Sequence, residues 1–349
     1  MPTTRTLTVI GAHCAGEVCD VITGGVLNPP HCKTMYEKLV HFRDHNDSIR
    51  QLLLNEPRGR PAMNTNLVLP PCDPAADAGF LIMESEEYPP MSGGNAIATA
   101  TVLLETGMVE MNTQGKITEL VLDTAAGLVN VKAECEGGKC KSVSFDNVAS
   151  FVFKLDFEVD VPGLGVIKVD IAYGGMIYVL VDVGAVGLAI NNRHGTRLIE
   201  VGERIKRAVQ RAYTPVHPEN PDIRGVTILE FTEPMQRRGD GGRFAVNTAI
   251  VSPGRFDRCP CGTGSSARMA VLHARGELAV DEVFEHRSII GSTFDCHIRG
   301  TTKVGEYDAV LPTVKGSAWI TSYKQVVLDS TDPFPLGFRV GDQWHMGDE

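Results

Sequence analysis

Cys261-Gly262-Thr263-Gly264-Ser265-Ser266-Ala267-Arg268-Met269-Ala270-Val271 begins as a glycine-bearing turn and continues with apolar residues at helical spacing, Ala267, Val271 and Ala274. The same order occurs at Ser92-Gly93-Gly94-Asn95, followed by Ile97, Thr101 and Leu104. Gly107 and Gly276 read as the C-caps of the two helices. An internal repeat of this kind fixes an architecture before any local detail does.

Each helix sits in the same sequence of elements. The first copy has a β-rich start at residues 7–26, mixed sequence, the Ser92 helix, and strand-like segments at 119–131 and 142–153. The second starts at 166–182 around the pair Gly174-Gly175, then has the Cys261 helix and strand-like segments at 288–298 and 306–320. The expected fold is α/β in the α+β sense: two pseudo-symmetric β-rich domains, each around a central helix. A pseudo-twofold axis would set the helix N-termini opposite each other, with the active site in the interdomain cleft, a common place for a small-molecule site. The expected domains are residues 1–160 plus 325–349, carrying the Ser92 helix, and 161–324, carrying the Cys261 helix. Pro162-Gly163-Leu164-Gly165 is the expected linker, and residues 329–338 are expected to pack back on the first half.

Composition agrees with two folded domains. The chain has 349 residues, 43% hydrophobic and 22% charged, too long for one continuous core. A formal net charge of −10, with the acidic residues scattered, argues against nucleic acid as a partner. The start, Met1-Pro2-Thr3-Thr4-Arg5-Thr6, lacks a signal-peptide pattern, and no apolar run approaches the roughly 20 residues of a membrane span, so a cytoplasmic protein is expected. Nine cysteines, an odd number, predict free thiols rather than a disulfide framework. None of the pairs Cys14/Cys19, Cys135/Cys140 and Cys259/Cys261 makes a CxxC, which argues against a structural zinc site, and nucleotide-binding motifs are missing. No metal and no cofactor are expected.

The chemistry concentrates at residues 256–268. A thiol at a helix mouth meets the positive end of the macrodipole and unpaired backbone N–H groups, both of which favour thiolate, so Cys261 is expected to have a lowered pKa and to act as a base. Gly262, Thr263 and Gly264 let backbone N–H groups approach an anion such as a substrate carboxylate. Asp257 supplies a carboxylate for a cationic ring nitrogen. The bland readings are a buried structural cysteine, an aspartate that only forms a turn, and a Gly-Thr-Gly-Ser that only starts a helix.

The chain resembles the proline racemase and hydroxyproline epimerase family over essentially its whole length. The resemblance is carried by residues 13–17 (His-Cys-Ala-Gly-Glu), 91–95 (Met-Ser-Gly-Gly-Asn), 126–129 (Ala-Gly-Leu-Val), 170–175 (Asp-Ile-Ala-Tyr-Gly-Gly), 257–264 (Asp-Arg-Cys-Pro-Cys-Gly-Thr-Gly) and 288–294 (Ser-Ile-Ile-Gly-Ser-Thr-Phe). It implies the two-domain architecture shared with diaminopimelate epimerase and a catalytic pair, one group at each helix mouth, working on opposite faces of an α-carbon. Here those positions are Ser92 and Cys261. It also implies that backbone N–H groups of Gly93, Gly94, Gly262 and Thr263 hold the substrate carboxylate and that Asp257 contacts the ring nitrogen. Where the racemases have Cys this chain has Ser92, and where they usually have His it has Gly94.

A serine hydroxyl is a far weaker acid than a thiol, so proline racemisation is expected to be poor. A reaction with one carbon proton transfer and a leaving group tolerates the mismatch, and relatives with one thiol replaced by a hydroxyl are associated with dehydration of trans-3-hydroxy-L-proline to pyrroline-2-carboxylate. That hydro-lyase activity is the leading expectation, with 4-hydroxyproline 2-epimerisation as the alternative and Ser92 as a mere helix cap as the bland one. A thiol hydrolase using Cys261 would need a His base, and none of the ten histidines stands in an evident Cys/His motif. A non-enzymatic imino-acid binder would leave the thiol at the helix mouth unexplained. The expected partner is a small-molecule hydroxyproline, with no nucleic acid and no membrane. A homodimer is compatible with the resemblance, but nothing in the sequence marks an interface.

Overall fold

The computed structural model describes residues 3–112, 114–251 and 254–344. The chain divides into two compact units, Met1–Phe145 with Gly316–Glu349, and Asp146–Lys315.

The first unit contains β1 (Thr3–Cys14), β2 (Glu17–Gly24), α1 (Met35–His45), α2 (Ser48–Leu54), β3 (Asn64–Leu69), β4 (Ala78–Met83), α3 (Gly93–Glu105), β5 (Ile117–Thr124), β6 (Gly127–Glu136) and β7 (Lys139–Asp146). The strand Ala318–Asp329 returns to it and pairs antiparallel with β1, Leu7 opposite Val326. From that strand through β1 to β7 the pairings run antiparallel, antiparallel, parallel, antiparallel, parallel, antiparallel, antiparallel. Near the tail, Glu56 and Phe338 exchange backbone hydrogen bonds of 3.1 and 2.8 Å.

The second unit contains β8 (Ser150–Val161), β9 (Gly165–Tyr173), β10 (Ile177–Asp182), α4 (Gly195–Ala212), β11 (Ile228–Thr232), the short β12 (Gln236–Arg237), β13 (Arg243–Val251), the short β14 (Arg255–Phe256), α5 (Gly262–Ala274), β15 (Val283–Arg287), β16 (Thr293–Val304) and β17 (Tyr307–Gly316). Along β8, β9, β10, β11, β13, β15, β16 and β17 the pairing senses repeat the first unit's pattern step for step. β17 then pairs back onto β8, which closes the sheet into a barrel. In each unit the central helix connects two parallel neighbours, β4 to β5 by α3 and β13 to β15 by α5, as a parallel pair requires. The repeated architecture read from the sequence is therefore present.

Both central helices have 13 residues, mostly apolar or small, the pattern of a helix enclosed by its surroundings. Gly93–Leu104 and Gly262–Leu272 are buried throughout. Period-two alternation sorts the barrel residues of the second unit. Ile171, Val179, Leu229 and Phe231 pack with Leu198, Val201, Ile205 and Val209 of α4, while Ala172, Tyr178, Leu180, Ile228 and Ala249 pack with Ala267 and Val271 of α5. The valine, leucine, isoleucine and phenylalanine side chains among them are each worth about 1.5–3 kcal/mol when fully buried.

Several local expectations need correction. Pro162-Gly163-Leu164-Gly165 is the turn of the β8–β9 hairpin, closed by Leu164 N–H to Val161 C=O at 2.9 Å, because proline and glycine serve a tight turn as well as a linker. Residues 142–153 cover the end of one strand and the start of the next, and residues 288–292 form a turn between β15 and β16. α1, α2 and α4 lie in stretches read as mixed sequence.

Candidate functional site

In the first unit Ser92 is the N-cap of α3, with extended backbone (φ −150°, ψ 124°), and its side chain makes no capping hydrogen bond. Instead Asn95 Nδ2 donates to Ser92 Oγ at 3.0 Å. Asn95 is buried, and its Oδ1 accepts from Asn66 Nδ2 at 2.9 Å, which fixes which end of the amide meets the serine. The hydroxyl therefore accepts from Asn95 and keeps its own proton to donate. Gly93 and Gly94 form the first turn behind it.

In the second unit Cys261 is the N-cap of α5, also without a side-chain capping bond, and its carbonyl accepts the first helical hydrogen bond from Ser265 N–H at 2.8 Å. Gly262 and Thr263 open the helix, so their N–H groups are among those with no partner in the helix. Tyr178, fully buried on β10, places its hydroxyl 3.2 Å from Cys261 Sγ and 2.7 Å from Thr263 Oγ1. Cys261 N–H donates to Cys259 Sγ at 3.4 Å. The loop Cys259–Gly262 is tied down from behind: Asn247 Nδ2 donates to Pro260 C=O at 2.8 Å, and Ser265 Oγ to the same carbonyl at 3.2 Å. Gly174 touches the first turn of α5 so closely that a Cβ there would stand 2.2 Å from Thr263 O and 2.5 Å from Ala267 N. The Gly174 carbonyl accepts from Asn147 Nδ2, which also donates to Ser266 Oγ, both at 2.8 Å.

The expectation of a lowered Cys261 pKa is overturned. Burial pushes the thiol well above its ordinary value, the carboxyls of Asp257 and Glu230 push it further, and the Tyr178 hydroxyl pulls it back. The helix-mouth field is real but local, and desolvation outweighs it. Burial likewise raises the carboxyl of Asp257, opposed by the Arg255 guanidinium 3.9 Å away. A cation brought beside Asp257 would offset its effect on the thiol.

The structure thus gathers Cys261, Gly262, Thr263 and Asp257 in one place, and Ser92, Gly93 and Gly94 in another. Tyr178, Asn95, Asn247 and Glu230 escaped sequence reasoning. Asn95 alone left a trace, as the last residue of the Ser92-Gly93-Gly94-Asn95 turn; nothing local marks the other three.

Comparison with known proteins places this geometry. Residues 9–339 match the family model described as proline racemase. A hydroxyproline epimerase from Agrobacterium vitis, solved with bound trans-4-hydroxy-L-proline, is 40% identical, with 99% of this chain and 98% of that one aligned at a TM-score of 0.88. A probable proline racemase from Agrobacterium radiobacter K84, solved with bound carbonate, is also 40% identical over 97% and 98% of the two chains, at 0.87. A Bacillus anthracis phenazine biosynthesis protein of the PhzF family, 12% identical over 93% and 99% at 0.59, shares the fold alone. With a family match across nearly the whole chain and helix mouths of one build in both units, the chain belongs to the proline racemase family.

Proposed function

We propose that the protein is a hydroxyproline 2-epimerase that interconverts trans-4-hydroxy-L-proline and cis-4-hydroxy-D-proline, with Ser92 and Cys261 acting on opposite faces of the α-carbon. The observation that carries this reading is that both N-cap side chains are free of capping duty. It is supported by 40% identity to an epimerase that holds trans-4-hydroxy-L-proline.

In this mechanism the backbone N–H groups of Gly93, Gly94, Gly262 and Thr263 bind the carboxylate, and Asp257 binds the ring ammonium. That cation offsets the Asp257 carboxylate, and with the Tyr178 hydroxyl on its sulfur Cys261 can give up its proton. The thiolate removes the α-proton and Ser92 delivers its own from the other face. The amide of Asn95 stabilises the serine oxygen as charge develops. A new proton reaches Ser92 from water and Cys261 releases the one it took, which closes the cycle.

One observation favours a second reaction. A hydroxyl replaces the thiol at residue 92, which weakens carbon protonation more than it weakens one-sided elimination. In trans-3-hydroxy-L-proline the same base removes the α-proton, the C3–O bond breaks, and hydroxide leaves as water once protonated. The enamine then tautomerises to pyrroline-2-carboxylate. The hydroxyl at residue 92 favours this reaction, and the likeness to a hydroxyproline epimerase puts 2-epimerisation ahead of it. Proton NMR in deuterium oxide with each substrate tests both. Loss of the α-proton signal with appearance of the 4-hydroxy-D epimer is the expected result. Turnover of the 3-hydroxy isomer alone would reverse the order of the two readings.

A further inference from the structure

A second polar cluster stands behind the mouth of α5, and the proposed reaction does not use it. Glu230, on β11, is 0% exposed. Its Oε1 accepts from Asn247 Nδ2 at 3.0 Å, and the same amide nitrogen holds the Pro260 carbonyl next to Cys261. Its Oε2 has no hydrogen-bond partner. That oxygen lies against Gly264: a Cβ there would stand 2.2 Å from Oε2 and 3.1 Å from Cys261 Sγ, so glycine at 264 leaves carboxyl and sulfur within reach of one carbon position.

The other groups around Glu230 are few. His286 of β15 has Nε2 3.9 Å from Oε1, itself without a hydrogen-bond partner, while its Nδ1 is 2.8 Å from Ser265 Oγ. Burial and Arg268 keep that imidazole neutral. Arg268 of α5 favours a charged Glu230, Asp257 disfavours it, and the Cys296 thiol on β16 is raised in part by Glu230. Burial dominates, and the carboxyl is pushed up to about 8. A bare carboxylate oxygen with no partner in a dry interior is costly, and a second negative charge beside it is costlier still.

We infer that Glu230 is a positioning residue that sets the proton affinity of Cys261, carrying a proton while the thiol does its work and opposing thiolate formation once it ionises. This rests on Cys261 being the catalytic thiol. It makes Glu230 a brake on Cys261 ionisation above neutral pH, although it touches no substrate.

The test is the pH dependence of Cys261 alkylation by iodoacetamide, read as label on that residue by fragment-ion mass spectrometry, in wild type and Glu230→Gln. The amide keeps the shape and the Asn247 contact and cannot ionise. Glu230→Gln is expected to react about tenfold faster than wild type at pH 9, the effect of one pKa unit, and at the same rate at pH 6.5. Superimposable curves across the range would overturn the inference. Should the variant fold poorly, carbon-13 NMR of glutamate-labelled wild type replaces it: one carboxyl titrating near pH 8 is expected, and none titrating above pH 6.5 would overturn the inference. Alkylation needs no substrate, so a protein inactive on hydroxyprolines that still shows the shift refutes the proposed function and leaves this inference standing.

Discussion

Gly174→Ala is the substitution whose effect the structure sizes most directly. The added Cβ would lie 2.2 Å from Thr263 O, more than an ångström short of the 3.4 Å at which ordinary contact begins, and the obstacle is backbone that cannot rotate away. The first turn of α5 must move, and with it the N–H groups of Gly262 and Thr263 and the thiol of Cys261. Overpacking of this kind costs about 1–3 kcal/mol, and a displacement of about 1 Å in a catalytic constellation costs on the order of 100-fold in rate. The expected result is a melting temperature lower by several degrees and turnover of trans-4-hydroxy-L-proline down by about two orders of magnitude. Gly300→Ala is the control, because its Cβ would meet nothing nearer than Leu311 Cδ1 at 3.7 Å, and both quantities should stay at wild type. Calorimetry and the NMR assay measure them. Wild-type melting and turnover in Gly174→Ala would refute the claim that this contact positions the helix mouth.

Cys261→Ser should lower turnover by at least about 100-fold, while Cys259→Ser, which keeps an acceptor for the Cys261 N–H, should do little; equal losses would mean the base is misassigned. Ser92→Cys should raise 2-epimerisation relative to dehydration and Ser92→Ala should damage epimerisation most, so an unchanged ratio of the two activities across wild type and both variants would reduce Ser92 to a helix cap. His286 is held neutral in the fold down to about pH 3 against 6.5 ordinarily, so unfolding takes up its proton between those values and stability is lost as pH drops from 6.5 towards 3, by about 1.4 kcal/mol per unit. Glu230 works in the opposite sense above pH 4.5, so the effect is read as the difference between wild type and His286→Asn in denaturant titrations at pH 4, 5 and 6. Parallel stability curves would show that this histidine is not the titrating group.

The two helix mouths were legible because their signals are local: a Ser or Cys, glycines, apolar residues at helical spacing, and a glycine at the far end. Around the same thiol, Tyr178 is 83 residues away in sequence and reaches it only because β10 turns its even-numbered residues toward α5. Glu230 and Asn247 belong to neighbouring strands whose pairing no local pattern announces. The lowered thiol pKa failed because a helix dipole can be read from sequence, while burial and the remote Glu230 carboxyl cannot. α4 was readable in principle from Leu198, Val201, Ile205 and Val209, but it starts at Gly195 behind His194, which makes no side-chain cap.

Cys261 has φ 62°, on the side of backbone space where side chains are unwelcome. Holding a residue other than glycine there costs of order 1–3 kcal/mol, so Cys261→Gly should relax the turn and lengthen the life of the folded chain while removing the reacting sulfur. Drift at this codon therefore favours folding and works against fitness. A lineage released from the need for the reaction would be free to become sturdier at its own former active site, and a laboratory selection for heat resistance alone would be expected to discard the thiol early.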